Sequence, residues 1–223
     1  MSQKFVIIVA GGTGSRMQSQ LPKQFIEINQ KPILVHTLEA FLEAWTDIQI
    51  VVVMNPNYLD FWAEMCGRYV WKNKVKTVAG GNTRFHSVKN GLSAIVGDTG
   101  IVGVHDAVRP FVNTAFLQKL YAVAEQKKAV IPVITLKDSI RILEEDGVSK
   151  AVDRAKYRLV QTPQCFELKI LRKAYTQKYQ THFTDDASVV ENMGVFVKLT
   201  EGVDNNIKIT TPADLKWAKS FLS

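Results

Sequence analysis

The chain has 223 residues, of which 46% are hydrophobic, and this is enough for a full core in one domain. Its formal net charge is +7, but the longest runs of basic residues are pairs such as Lys127-Lys128, so we expect small phosphorylated ligands rather than nucleic acid. No apolar run approaches the roughly 20 residues of a membrane-spanning helix. Because the apolar start of the chain ends in a glycine turn rather than a cleavage site, we expect a cytoplasmic protein with no membrane partner.

The predicted strands and helices alternate from residue 5 to residue 134. Strands are predicted at 5–10, 48–54, 75–78, 100–105 and 129–134, and helices at 32–43, 58–69, 84–95 and 114–126. The continuous apolar run FVIIVA at 5–10 is typical of a strand that is buried on both faces. This alternation predicts an α/β fold with a mostly parallel, Rossmann-like sheet and helices on both faces.

The alternation stops between residues 135 and 161, where polar and apolar residues alternate and Asp146-Gly147 forms a favoured hairpin turn. We interpret residues 136–160 as an extended β-arm that leaves the sheet, and a second copy of the chain is its simplest partner. Helices at 168–179 and 185–192, a strand at 195–199 and a last helix from Pro212 complete a single predicted domain over 1–223.

In open sheets of this kind, ligands bind beyond the carboxyl ends of the strands, and the first such loop reads Ala10-Gly11-Gly12-Thr13-Gly14-Ser15-Arg16. Glycines let backbone N–H groups approach a phosphate. The loop lacks the Gly-Lys-Ser/Thr ending of a Walker A motif, and Met17 breaks the dinucleotide pattern, so a purely structural turn remains an alternative. The nearby cations Arg16 and Lys23 suit the negative charge that develops on a triphosphate during displacement.

Two further loops follow predicted strands. Gly80 to Arg84 lead into a helix whose free N–H groups suit an anion or a base edge, although a plain helix start is the alternative. Asp106 ends a strand and is a plausible magnesium ligand, since magnesium prefers oxygen donors, but a structural Asp106–Arg109 pair is also possible. We interpret His105 as a structural residue.

The cysteines, Cys66 and Cys165, form no CxxC pair, and the four histidines have no ligand spacing. The sequence therefore predicts two free thiols and no structural zinc site.

The segments AGGTGSRM and PKQF together resemble the signature of the sugar nucleotidyltransferases. The remaining motifs narrow the resemblance to the 2-C-methyl-D-erythritol 4-phosphate cytidylyltransferase family of the non-mevalonate isoprenoid pathway, over residues 5–222. The resemblance implies a nucleotidyltransferase domain whose β-arm interlocks two subunits as a homodimer. It also implies CTP and a sugar-alcohol phosphate as substrates, with Mg²⁺ or another divalent cation.

The same resemblance implies roles for individual residues. The catalytic residues would be Arg16, Lys23, Arg154 and Lys208. CTP would be bound by Ala10, Gly11, Gly12, Thr13, Gly14, Ser15, Gly80, Arg84, Ser87, Asp106 and Ala107. The acceptor would be bound by Arg109, Ser139, Thr162 and Thr184, and the metal by Asp106. Apart from the resemblance, Arg154 would be interpreted as a solvated charge, and Thr184 as the N-cap of the helix that follows it.

Two alternatives remain open. A ribitol 5-phosphate cytidylyltransferase would share the glycine loop and segments like HDAVRPF, QTPQ and NIKITTP, whereas TDDASVVE matches the isoprenoid enzymes better. The pI of about 9.3 suggests a non-catalytic nucleotide-binding or nucleic-acid-binding protein as a second alternative.

Overall fold

The computed structural model describes residues 2–12, 21–145 and 147–221. The strands, in chain order, are β1 (Lys4–Ala10), β2 (Glu27–Ile28), β3 (Lys31–Pro32), β4 (Gln49–Met54), β5 (Val75–Ala79), β6 (Ile101–Asp106), β7 (Ala129–Thr135), β8 (Arg141–Leu143), β9 (Ser149–Ala151), β10 (Arg158–Val160), β11 (Gln164–Glu167) and β12 (Lys198–Glu201). The α-helices are α1 (Ile33–Ala44), α2 (Leu59–Cys66), α3 (Arg84–Ala94), α4 (Thr114–Lys127), α5 (Leu168–Ala174), α6 (Asp186–Glu191) and α7 (Pro212–Phe221).

The main sheet has the strand order β10-β7-β11-β6-β1-β4-β5, with β12 added beside β7. Strand β1 is parallel to β4 and β6, and β4 is parallel to β5, so the carboxyl ends of all four strands lie at one edge. Strands β10 and β11 run antiparallel to their neighbours. The predicted mostly parallel α/β sheet is confirmed.

Burial on both faces of the sheet explains the apolar runs. Alternate side chains of β1 enter different cores: Val6 and Ile8 pack on one side with residues of α1, α2 and α4, and Phe5 and Ile7 pack on the other with residues of α3, α5 and α6. These four side chains of β1 are fully buried. Among the helices that the structure describes, none has the length and apolar character needed to cross a membrane.

The structure differs from the predicted elements in the second half of the chain. No strand was predicted between residues 161 and 168, but the structure has β11 there, a strand of only four residues inserted between β6 and β7. Residues 158–160 of the predicted arm form β10 in the main sheet, so the arm is the shorter hairpin of β8 and β9. Its turn residue Asp146 lies outside the described residues.

Three further bounds shift by several residues. Helix α2 ends at Cys66 before a glycine, and α5 ends at Ala174 rather than near residue 179. Strand β12 begins at Lys198, three residues later than the predicted strand. Both cysteines are buried free thiols, as predicted.

Candidate active site

A cavity of about 290 Å³ opens beyond the carboxyl ends of β1, β5 and β6. Residues 9–12, 81–84 and 106–108, which follow or end these strands, form three of its walls. Ser87 of α3, Lys23, Gln24 and Lys208 complete the lining. The location agrees with the general rule for ligand sites in open α/β sheets.

The Asp106 carboxylate lies at the centre of this arrangement. Its Oδ2 atom is 3.1 Å from Lys208 Nζ and 3.1 Å from Arg109 Nε. Burial alone would raise the pKa of Asp106, but the charges of Lys208, Arg84 and Arg109 outweigh it and hold the pKa well below its usual range. Asp106 is therefore ionised at neutral pH. The predicted Asp106–Arg109 pair is present, and Lys208 joins it from a distant part of the chain.

Two buried side chains hold the end of β6 in place. The Thr162 hydroxyl accepts a hydrogen bond from the Asp106 backbone N–H at 3.1 Å and lies 3.0 Å from His105 Nδ1. His105 Nε2 lies 3.0 Å from the Arg109 carbonyl oxygen, which can only accept, so Nε2 carries the proton and Nδ1 accepts from Thr162. Burial lowers the pKa of His105 to about 4, so the ring is neutral, in agreement with the predicted structural role.

Gln24, which the sequence analysis did not single out, shapes the glycine loop. Its buried amide Nε2 donates to the carbonyl oxygens of Ala10 at 3.0 Å and Gly12 at 3.3 Å. The Gly11 carbonyl accepts a weaker bond from Asn55 Nδ2 at 3.4 Å. These bonds hold the loop carbonyls on the protein side.

The other predicted residues of this loop, Thr13, Gly14, Ser15 and Arg16, lie outside the described residues. Lys23, which follows them, lines the cavity, and its Nζ donates to the Ile209 carbonyl at 3.2 Å. Lys23 therefore joins the first loop to the segment that carries Lys208.

The wall at the start of α3 is organised by short hydrogen bonds. The Ser87 hydroxyl accepts from the Gly81 N–H at 3.1 Å, and Thr83 caps α3 by accepting from the His86 N–H. A Cβ atom at Gly80 would lie 3.1 Å from Ser87 Oγ and 3.3 Å from the Met54 carbonyl oxygen, so a side chain there would have to displace these neighbours by a few tenths of an ångström. Gly80 thus supports the wall, while Arg84 and Ser87 line it.

Three predicted site residues, Ser139, Arg154 and Thr184, are not among the residues that line this cavity. Ser139 and Arg154 are exposed, and the Arg154 guanidinium donates to the Lys137 carbonyl. Thr184 is exposed, and its predicted role as a helix N-cap is wrong. Asp185 caps α6 instead, in a capping box with Ser188, because its carboxylate accepts from the Ser188 N–H at 2.9 Å.

Asp106 supplies the one carboxylate among the described residues that line the cavity. Within residues 2–12, 21–145 and 147–221, no cluster of three or more histidine, cysteine, aspartate or glutamate side chains could hold a metal ion. Magnesium is often bound by one or two carboxylates together with substrate phosphates and waters. The donor set therefore fits a magnesium ion that takes most of its ligands from a nucleotide.

Comparisons with known proteins identify the family of the chain. The family model for 2-C-methyl-D-erythritol 4-phosphate cytidylyltransferase matches residues 4–223. The chain belongs to this family. The 2-C-methyl-D-erythritol 4-phosphate cytidylyltransferase of Bacteroides thetaiotaomicron is 52% identical over 217 residues, which cover 97% of this chain and 98% of the relative.

Two solved structures extend the comparison to the fold. The 4-diphosphocytidyl-2C-methyl-D-erythritol synthase of Anaerococcus prevotii matches with a TM-score of 0.83 at 28% identity, covering 99% of this chain and 98% of that chain. The 2-C-methyl-D-erythritol 4-phosphate cytidylyltransferase of Francisella tularensis matches with a TM-score of 0.80 at 33% identity, covering 98% and 99%. The resemblance seen in the sequence motifs is confirmed.

In this member of the cytidylyltransferase family, the cavity collects many of the residues singled out from the sequence. The predicted residues that line it are Ala10, Gly11, Gly12, Lys23, Arg84, Ser87, Asp106, Ala107 and Lys208. The lining residues that the sequence analysis missed are Val9, Gln24, Gly81, Asn82, Thr83 and Val108. Most of these residues are direct neighbours of predicted residues in the sequence. They could have been found by including every residue of the loops that follow the strands.

We predict that His105 makes stability depend on pH between about 6.5 and 4. Its pKa is 6.5 in the unfolded chain and about 4 in the folded protein, so only the unfolded chain takes up a proton in this range. The free energy of unfolding should be unaffected above pH 6.5 and should fall by about 2–3 kcal/mol as the pH decreases to about 4.5. Urea denaturation at pH 7.5 and 4.5 measures this change.

The matched variant is His105→Gln, which cannot titrate. It should be less stable than the wild type at pH 7.5, but the difference should shrink at pH 4.5. Asp106 does not contribute in this window, because its lowered pKa removes stability only below its ordinary value of 3.8. An equal pH dependence for the two proteins would contradict the role of His105.

Proposed function

We propose that this chain transfers the cytidylyl group of CTP to 2-C-methyl-D-erythritol 4-phosphate, in non-mevalonate isoprenoid biosynthesis. The products would be 4-diphosphocytidyl-2-C-methyl-D-erythritol and pyrophosphate. The family match over residues 4–223 carries the proposal. The alternatives, a ribitol 5-phosphate cytidylyltransferase and a non-catalytic binding protein, are not favoured by this match.

The charges around the cavity support a triphosphate ligand. Lys23, Arg84 and Lys208 all line it, and the glycine loop at Gly11 and Gly12 forms the neighbouring wall. Cations and backbone N–H groups that are already in place lower the cost of gathering negative charge in a transition state. The nucleotide base would then lie toward the wall formed by residues 81–87.

The proposed reaction is an in-line displacement at the α-phosphorus of CTP. A phosphate oxygen of the acceptor forms a bond to the α-phosphorus, and the bond from that phosphorus to the oxygen bridging to the β-phosphorus breaks, so pyrophosphate leaves with the bonding electrons. The acceptor oxygen is anionic at neutral pH, so the reaction needs no general base. The neutral, fully buried His105 ring is consistent with this mechanism. Catalysis would depend on positioning and charge neutralisation.

Within this mechanism each cation has a separate task. Arg16 and Lys23 would stabilise the charge at the α-phosphate. Lys208 is about half exposed at its side chain while its Nζ contacts Asp106, so it has access to the acceptor phosphate. Arg154, which follows the arm in the chain, would aim the same acceptor phosphate, and Arg109, Ser139, Thr162 and Thr184 would be further acceptor contacts.

Asp106 would hold the divalent cation, with the phosphates of CTP as the other ligands. A bound Mg²⁺ would neutralise charge on the triphosphate and on the departing pyrophosphate. Because Lys208 and Arg109 already contact Oδ2, the other carboxylate oxygen is the natural donor to a metal.

The arm suits a second copy of the chain as its partner. Its side chains Ile142, Leu143 and Val148 are 51%, 79% and 52% exposed, and Leu159 beside it is 50% exposed. Apolar side chains that are exposed on one short segment suit an interaction site. Since Ser139 and Arg154 do not line the cavity of their own chain, we propose that they complete the cavity of the partner in a homodimer.

The first prediction from this proposal concerns Lys23. Lys23→Ala should lower kcat about 100-fold or more, because a charge aimed at the transition state is lost. The Kd for CTP should rise less than about tenfold, because the ground state keeps its other contacts. Steady-state kinetics and calorimetric titration with CTP measure the two effects, with Lys119→Ala on the surface of α4 as the control. Unchanged turnover in Lys23→Ala would remove this residue from the mechanism.

A second prediction concerns the arm. Leu143→Arg should convert a dimer into a monomer and lower kcat/KM strongly, because a charge would be buried at the interface and Arg154 would no longer reach the partner's cavity. Val70→Arg, at a fully exposed apolar residue away from the arm, is the matched control. Sedimentation velocity gives the mass. A monomeric wild type, or a fully active Leu143→Arg monomer, would contradict the dimer proposal.

The acceptor is tested by pyrophosphate release from CTP and Mg²⁺ with 2-C-methyl-D-erythritol 4-phosphate or ribitol 5-phosphate supplied separately. We expect a strong preference for the methylerythritol substrate. Preference for ribitol 5-phosphate would keep the CTP site and the mechanism but overturn the proposed acceptor. No release with either acceptor would favour the non-catalytic alternative.

A further inference from the structure

A buried ion pair forms the back of the cavity wall at α3. Arg84, the first residue of α3, lines the cavity, and its guanidinium meets the carboxylate of Asp186, the first residue of α6. Nη1 lies 3.0 Å from Oδ1, and Nη2 lies 2.5 Å from Oδ2, so the pairing is bidentate. The Tyr175 hydroxyl donates a third bond to Asp186 Oδ1 at 2.6 Å.

The pair fixes the Arg84 side chain more firmly than a surface ion pair would. Asp186 is fully buried, while the Arg84 side chain is about 31% exposed. Burial alone would lower the pKa of Arg84, but the charge of Asp186 outweighs this effect and raises the pKa, so the guanidinium is charged. The planar fork of a guanidinium matches a carboxylate in one geometry, which leaves three of its five N–H donors for other partners.

Asp186 is itself held by a rigid part of the fold. Gln164 of β11 donates from Nε2 to Asp185 Oδ2 at 2.8 Å, and its Oε1 accepts from the Ala187 N–H at 2.9 Å. These bonds fix the residues on both sides of Asp186 to the central sheet. The Tyr175 ring stacks on Phe85, next to Arg84, with centroids 4.7 Å apart.

We propose that Asp186 is a positioning residue for nucleotide binding, which holds the Arg84 guanidinium at the cavity wall, and that the Tyr175 hydroxyl holds Asp186 in turn. This inference rests on the proposed function of the cavity as a CTP site. Asp186 and Tyr175 touch no ligand; they act through Arg84. Because Asp186 holds the guanidinium in one orientation and balances its charge, Arg84 would bind the nucleotide through N–H groups that point in fixed directions.

The test is the Kd of CTP, measured by calorimetric titration in Mg²⁺ with correctly folded protein. Asp186→Asn should raise the Kd about tenfold or more, because hydrogen bonds to charged groups orient Arg84 and the neutral amide cannot replace them. Arg84→Met should also weaken binding. Adding Asp186→Asn to Arg84→Met should change the Kd by less than about twofold, since the side chain that Asp186 positions is already absent.

Tyr175→Phe is a milder variant, because it removes only the hydroxyl and keeps the ring that stacks on Phe85. It tests the positioning role of Asp186 even if Asp186→Asn does not fold. We expect its Kd to rise about threefold to tenfold. Tyr121→Phe is the matched control, because Tyr121 is equally buried and donates to the Phe5 carbonyl at 2.8 Å in the core on the other face of the sheet. It should lower the free energy of unfolding but leave the Kd unchanged.

A merely structural role would lower the melting temperature of Asp186→Asn and Tyr175→Phe without changing the Kd of the folded protein. That result would overturn the inference, as would equal effects of Tyr175→Phe and Tyr121→Phe on the Kd. If the wild type itself bound no CTP, the proposed function would fail first, and the inference with it.

Discussion

A buried carboxylate needs compensating partners, and the partners of Asp106 determine which parts of the chain meet at the cavity. Removing one partner from a buried ion pair typically costs about 3–5 kcal/mol, because the other charge is left uncompensated. Here Lys208 and Arg109 supply the charges, and Thr162 accepts from the backbone N–H of Asp106 itself. The end of β6 is thereby joined to the segments around residues 162 and 208, which no single sequence motif connects.

The supporting bonds extend this connection. The Arg109 guanidinium donates to the Asn206 carbonyl at 2.7 Å, and the buried Asn206 amide donates to the Thr162 carbonyl at 2.7 Å. Lys23 reaches the same segment through the Ile209 carbonyl. The cations of the cavity are therefore positioned by the folded protein before a nucleotide binds, and this arrangement lowers the reorganisation that a triphosphate would otherwise require.

Local sequence patterns predicted the parts of the fold that local forces determine. The apolar runs of β1 and β4 had to be strands buried on both faces, and glycine loops at the strand ends indicated the site. The strand β11 escaped prediction because its four residues follow Pro163 and owe their conformation to pairing with β6 and β7. Thr184 was predicted as a cap from its position, but the neighbouring Asp185 offers a carboxylate that completes a capping box.

The loops that form the candidate site could be predicted from the sequence, but the hydrogen bonds and ion pairs that connect them could not. Arg84 and Asp186 are 102 positions apart, and no local pattern indicates that they meet. Gln24 stood inside the quoted PKQF motif, yet only the structure shows that its amide holds the carbonyls of Ala10 and Gly12. Partners that are far apart in the sequence meet only when the sheet is assembled, so their contacts cannot be predicted from local sequence patterns.

We expect CTP to bind in the cavity beyond β1, β5 and β6, and a crystal structure of the protein with CTP and Mg²⁺ would show whether it does. The triphosphate should lie beside Gly11, Gly12 and Lys23, and the base should lie against the wall of residues 81–87. If CTP bound instead in another depression, such as the one lined by His36, Glu39 and Asn113, the cavity would not be the nucleotide site.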